Sequence, residues 1–200
     1  GADAHDFEPI VPELRLPETL GMRFVFPNAP IRPVTINNGM RMRAWYDVLS
    51  LDLPRQEDPE GVYASERAIY ALLEREKQRG VSADRIVLAG FSQGGAMALH
   101  TGLRYPERLA GILALSCYLP LASRLNSERR PANQATPIFM AHGDYDAVIP
   151  MRYGQQSAEA LEGSGYPVEW SDYGMGHEVC FQEIRDIAAW LQQVLAAPTV

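Results

Sequence analysis

The chain has 200 residues, of which 46 % are hydrophobic and 22 % charged, with a formal net charge of −7 at pH 7. This composition describes a soluble chain able to fill one core, read as a single domain over residues 1–200. An acidic balance with no Lys/Arg cluster argues against nucleic acid and anionic membrane surfaces as partners, since both are bound through positive charge.

No apolar run approaches the roughly 20 residues needed to span a bilayer, so no integral membrane segment is expected. Cys117 and Cys180 are the two cysteines, far apart in the chain and without C-x-x-C spacing. No disulfide framework or metal motif follows from them, and a reducing, cytoplasmic setting fits.

In chain order, the opening GADAHDFEPIVPELRL reads as a polar turn running into a proline-interrupted helix. Residues 22–26 (MRFVF) read as a first strand, ended by Pro27-Asn28-Ala29-Pro30. Residues 31–64 have no sustained period and carry scattered Pro, Gly, Asn and Asp, so they read as a long excursion of the kind that is functional or mobile. From Ser65 the period turns helical, with Ile69, Leu72 and Leu73 on one face and Gly80 as its stop.

Ile86-Val87-Leu88-Ala89 is a short continuous apolar run, as expected of a parallel strand buried on both faces. A helix follows it and stops at Pro106, and a second buried strand follows at residues 111–115. After a polar loop at 120–136 come a strand at 137–141, a helix over about 152–162 and a last strand beginning at Val168. A closing helix sets Phe181, Ile184, Ile187, Leu191 and Val194 on its apolar face. Strands alternating with helices predict an α/β fold, a mostly parallel sheet with helices on both faces and chemistry at the carboxyl ends of the strands.

The motif that carries chemistry is Gly90-Phe91-Ser92-Gln93-Gly94, a G-x-S-x-G between the strand at 86–89 and the helix after it. A serine at the tip of so sharp a turn needs small neighbours two before and two after it, and it fits a nucleophile elbow. An ordinary glycine-rich turn with a capping serine is the plainer alternative.

A hydroxyl is a weak nucleophile until a base takes its proton, and the base needs a carboxylate to fix its tautomer. Three histidines follow Ser92. His100 lies two helical turns beyond the elbow and reads as a packing residue. His142, at a strand end beside Gly143, reads as a structural hydrogen-bonding group. His177, in the Gly174-Met175-Gly176 turn after the last strand, is the candidate base.

Asp144 and Asp146 both follow the strand at 137–141 and are both candidate acids; with His142 they also form a minor metal-site alternative. No other ligand cluster supports a metal, and no cofactor is expected.

Gly90-Phe91-Ser92-Gln93-Gly94-Gly95, the H-G-x-x-D-x-V run at 142–148, Gly176-His177, Arg43-Ala44-Trp45-Tyr46-Asp47 and Gln56-Glu57-Asp58 together resemble the carboxylesterase and acyl-protein thioesterase family of small α/β-hydrolases. The resemblance covers nearly the whole chain. It implies an α/β-hydrolase fold without a large cap domain, Asp146 as the acid, and Gln93 as a backbone N–H donor to the oxyanion. It also implies Trp45, Val48, Leu51 and Val148 as substrate-binding residues, the last three lining an acyl channel, and it suggests a homodimer.

Members of that family begin with a strand and an H-G-x-G turn, whereas this chain begins Gly1-Ala2-Asp3. The expectation is therefore that the natural amino terminus, a second oxyanion donor and a strand beside the elbow strand precede Gly1.

The function expected is hydrolysis of short-to-medium acyl esters by a serine carboxylesterase through an acyl-enzyme. The alternative is a thioesterase or lysophospholipase acting on long acyl chains, and the remote one is a non-catalytic binding protein on a hydrolase scaffold. The substrate is a small acyl ester or thioester in the first two cases.

Overall fold

In a computed structural model of the chain, residues 1–52 and 56–196 are described. A short helix, α1 (Ile10–Glu13), precedes a two-stranded antiparallel hairpin of β1 (Ile31–Val34) and β2 (Met40–Arg43). Then come α2 (Pro59–Gln78), β3 (Val87–Phe91), α3 (Gln93–Arg104) and β4 (Gly111–Leu115). The chain continues through α4 (Leu125–Glu128), β5 (Ile138–Gly143), α5 (Met151–Gly163), β6 (Val168–Tyr173) and α6 (Phe181–Val194). Strands β3 to β6 form a parallel sheet in sequential order. This is an α/β-hydrolase arrangement.

The strand pleat divides the core in two. Ile112, Ala114, Ile138 and Met140 point to one face, against Met97 and Leu99 of α3, Leu161 of α5 and Val62 of α2. Their neighbours Leu113, Leu115, Phe139 and Ala141 point to the other, against Ile184, Ile187, Trp190 and Leu191 of α6 and Leu14 near the start of the chain. Side chains of successive strand residues must alternate between faces, so a run that is apolar at every position needs cover on both. Every residue of β4 and β5 is accordingly buried.

Three expectations change. Residues 22–26 are not a strand: the chain from 21 to 30 carries no regular secondary structure, although Met22 and Phe24 pack on the α6 side of the core. An apolar run becomes a strand only by finding a backbone partner, and the sheet neighbour of edge strand β3 is β4.

The excursion at 31–64 holds a hairpin and the start of α2, which begins six residues earlier than its apolar period suggests. Asp58 is its N-cap, accepting Gly61 N–H at 3.0 Å, and Pro59 follows at the first turn. Phe181 does not join the buried face of α6: it is 73 % exposed.

Candidate functional site

Ser92 joins β3 to α3 with φ 55° and ψ −124°, a conformation costing a non-glycine residue about 1–3 kcal/mol. Its own N–H donates to Leu115 C=O of β4 at 2.8 Å, continuing the sheet register past the end of β3. The turn closes because Gly90 lacks a side chain: a Cβ there would lie 2.1 Å from the Gly94 carbonyl carbon.

The second glycine that this crowding requires is Gly95, where a Cβ would meet Cys117 Sγ at 2.9 Å and Gly90 O at 2.9 Å. At Gly94, two after the serine, a Cβ would meet nothing within 4 Å. The expectation that Gly94 supplies the needed space therefore passes to its neighbour. Burial pushes the Cys117 thiol well above its ordinary range, leaving it an inert packing group under the turn.

The loops after β5 and β6 meet above Ser92. Asp144 N–H donates to Tyr173 C=O at 2.9 Å and Tyr145 N–H to Met175 C=O at 3.0 Å. Their approach depends on Gly143, where a Cβ would lie 2.3 Å from Gly176 O.

Asp146, its side chain fully buried, accepts His177 Nδ1–H on Oδ2 at 2.6 Å. Its Oδ1 accepts the N–H groups of Val148 at 2.9 Å and Ile149 at 2.8 Å. With the Nδ1 proton on the carboxylate side, His177 Nε2 is left to accept the Ser92 hydroxyl, 3.0 Å away. Phe91, the variable residue before the serine, lies against the His177 ring with centroids 4.7 Å apart.

The other two histidines are differently placed, His142 with its Nε2 3.4 Å from Asp146 Oδ2 and His100 in the helix layer. His100 is fully buried between α3 and α2, with Nε2 2.6 Å from Glu66 Oε2. His142 is fully buried beneath the acid loop, its Nε2–H donating to Ile149 C=O at 2.7 Å. Burial holds its imidazole below the ordinary pKa, and among the described residues Nδ1 has no hydrogen-bond partner, so the neutral Nε2–H tautomer fits. Among the described residues no group of three or more His, Cys, Asp or Glu side chains could hold a metal ion.

The residues expected to line an acyl channel are placed separately. Val48 borders a narrow cleft with Tyr46, Leu49, Tyr118 and Pro120. Leu51 is half-buried beside residues 53–55, which lie outside the described residues. Val148 is 49 % exposed on the acid loop, and Trp45 packs against the core under α3.

Gln93 is the first residue of α3, so its N–H has no acceptor within the helix and faces outward at the positive end of the helix dipole. Phe91, Gly95 and Gly143 were not singled out for site roles by the sequence. Proximity to G-x-S-x-G and the H-G pair was the available signal.

The chemistry open to such a chain of groups is proton removal from a serine hydroxyl. The phospholipase/carboxylesterase family model matches residues 12–195. The chain belongs to this phospholipase/carboxylesterase family. As a member, it is a hydrolase with relatives named for acyl-protein thioesterase activity. It is 40 % identical over 205 residues to acyl-protein thioesterase 1 of Neurospora crassa, covering 98 % of this chain and 83 % of that protein. It is 41 % identical over 182 residues to the Gibberella zeae acyl-protein thioesterase 1, covering 87 % and 77 %.

Among solved family structures, Arabidopsis thaliana SOBER1 superposes with a TM-score of 0.92 at 31 % identity, covering 98 % of this chain and 94 % of that one. Zea mays acyl-protein thioesterase 2 gives a TM-score of 0.87 at 29 % identity, covering 98 % and 90 %. No described helix of this family member is long and apolar enough to cross a membrane.

Proposed function

We propose that the protein hydrolyses carboxylic esters of short-to-medium acyl chains through an acyl-enzyme on Ser92. The single observation that carries this reading is the hydrogen-bond chain from Asp146 through His177 to Ser92, at 2.6 and 3.0 Å.

His177 Nε2 takes the hydroxyl proton as Ser92 Oγ bonds to the substrate carbonyl carbon, and Asp146 stabilises the imidazolium that results. The Gln93 N–H holds the carbonyl oxygen as it gains negative charge. His177 then gives the proton to the departing alcohol or thiol as its bond to the acyl carbon breaks. Water enters, again with His177 as base, and releases the acid.

A thioester substrate is the second reading, favoured by relatives named acyl-protein thioesterase 1. A reducing cytoplasm is the setting proposed for it, in keeping with Cys117 and Cys180, which are free.

Ser92→Ala should reduce turnover of p-nitrophenyl butyrate by at least about a thousandfold and abolish labelling by a fluorophosphonate probe. Retention of either would refute the mechanism. Rates on oxygen esters and thioesters from two to sixteen carbons separate the two substrate readings: an optimum on long thioesters selects the second.

A further inference from the structure

The Gln93 side chain makes a two-bond clasp that proton transfer at Ser92 does not require. Its Oε1 accepts Trp45 N–H at 2.6 Å, and its Nε2 donates to Tyr46 C=O at 2.8 Å. A carboxamide presents one acceptor and one donor side by side, so it engages these two backbone groups as a neighbouring strand would.

The clasped segment, residues 45–48, is irregular and is held by bonds from outside itself. Ser65 Oγ of α2 donates to Trp45 C=O, Asp58 accepts Asp47 N–H at 2.9 Å, and Ile36 N–H donates to Val48 C=O at 2.9 Å. Of these anchors, Gln93 alone belongs to the elbow. The same residue thus carries the oxyanion donor on its backbone and holds the segment bearing Trp45 and Val48 with its side chain.

We propose that residues 45–48 form a wall of the acyl site and that the Gln93 side chain is a positioning residue tying this wall to the oxyanion donor, so that the dependence of turnover on acyl length passes through it. The proposal rests on the ester or thioester reading above. An acyl chain lying along Trp45 and Val48 presses on a segment whose displacement pulls Gln93, and with it the N–H that meets the reacting carbonyl. With the clasp removed, the segment still binds acyl carbons but no longer sets the donor.

Two variants test this. Gln93→Met keeps the length and loses both bonds. Gln93→Glu keeps the acceptor for Trp45 N–H and sets a second oxygen against Tyr46 C=O, which it can bond only when protonated.

The readout is the ratio of kcat on the longest saturated p-nitrophenyl ester that the wild type hydrolyses to kcat on the acetate, followed from roughly pH 5.5 to 8. Because proton transfer at the base enters the rate on both substrates, each variant's ratio is compared with the wild-type ratio at the same pH.

The expected result is a ratio displaced by at least about fivefold in Gln93→Met at every pH. In Gln93→Glu it is displaced at high pH and returns toward the wild-type value on acidification. Equal losses on both esters in both variants, or no return of the ratio in Gln93→Glu, would overturn the proposal.

Ser65→Ala, which loosens the same segment from α2, should raise KM on the longer ester more than it changes the kcat ratio; an equal displacement of the ratio also overturns it. If Gln93→Met does not fold, as judged by its melting transition, Gln93→Glu carries the test through its pH dependence. Failure of the wild type to be labelled by the fluorophosphonate probe would instead remove the underlying hydrolase mechanism.

Discussion

The four-stranded sheet and the first 58 residues are held by different kinds of bond. From β3 onward the backbone is paired in ladders and helices, β4 and β5 are buried on both faces, and Ser92 and the loops bearing Asp146 and His177 follow strands fixed by that pairing. Before α2 the hairpin has mostly exposed or half-exposed residues. Its attachments are individual: Asp47 accepts Thr35 N–H at 2.7 Å, Arg43 donates to Ala29 C=O at 2.9 Å, and Asp58 and Gln93 hold the segment that follows.

A ladder distributes its loss over many bonds, whereas a single tie contributes only about 0.5–1.5 kcal/mol and can be removed by one substitution. The groups proposed to react therefore sit on the stiffer part, and the wall proposed to meet the acyl chain sits on the part that single changes can retune.

The largest effect expected on the stiff side is chemical rather than structural. Asp146→Asn keeps the side-chain shape but removes the acceptor that fixes the His177 tautomer, so kcat on p-nitrophenyl acetate should fall by about ten-thousandfold with the melting temperature little changed. A loss of less than tenfold would show that the carboxylate does not act through His177.

The elbow glycines come next. Gly90→Ala forces a Cβ into the Gly94 backbone and should cost about 1–3 kcal/mol or more in chemical denaturation. Gly94→Ala meets open space and should be neutral or slightly stabilising. Equal costs at the two positions would contradict the packing described for the turn.

Glu183, in the first turn of α6, is fully buried, and the backbone N–H of the N-cap residue Cys180 only partly compensates its carboxylate. Burial, with the Asp186 carboxylate adding repulsion, raises its pKa from 4.5 to about 7. Tyr173 of β6, itself raised by burial, is the other titratable group in electrostatic contact with it.

A folded-state pKa above the unfolded one means that the fold favours the neutral acid. Stability from this group is full below the unfolded value and is lost as pH rises through the folded one. The gap corresponds to about 3 kcal/mol. Unfolding free energy should decline by about that much more in the wild type than in Glu183→Gln between pH 4.5 and 8; parallel profiles would assign the pH dependence elsewhere.

The smallest effect tests the tied region directly. Asp58→Ala removes the α2 cap and the acceptor for Asp47 N–H, and should cost about 1–2 kcal/mol. Amide exchange should rise over residues 44–48 and stay unchanged in β4 and β5. Uniform acceleration across the sheet would mean that the two regions are not held separately.

The division between the two regions is also the division between what could and could not be read in advance. Residues 111–115 were legible as a strand to the residue, because an apolar run buried on both faces has one stable use beside helices. The α5 and α6 periods were legible for the same reason, apart from Phe181, which helical spacing places with the core and the end of the packed face leaves in solvent. The start of α2 carried a readable signal in Asp58-Pro59, but one weaker than the apolar period that begins later.

By itself, the sequence determined the alternation of helices and sheet strands from α2 onward and singled out Ser92, Asp144 or Asp146, and His177 as groups able to act together. Local spacing and side-chain chemistry suffice for that. Tertiary structure decided that Gly95 rather than Gly94 makes room for the turn, that Gly143 admits the His177 loop, and that residues 22–26 lack a sheet partner. It also decided that the Gln93 carboxamide reaches back 48 residues to Trp45. Each of these is a distance between segments remote in the chain, fixed only once both faces of the sheet are packed.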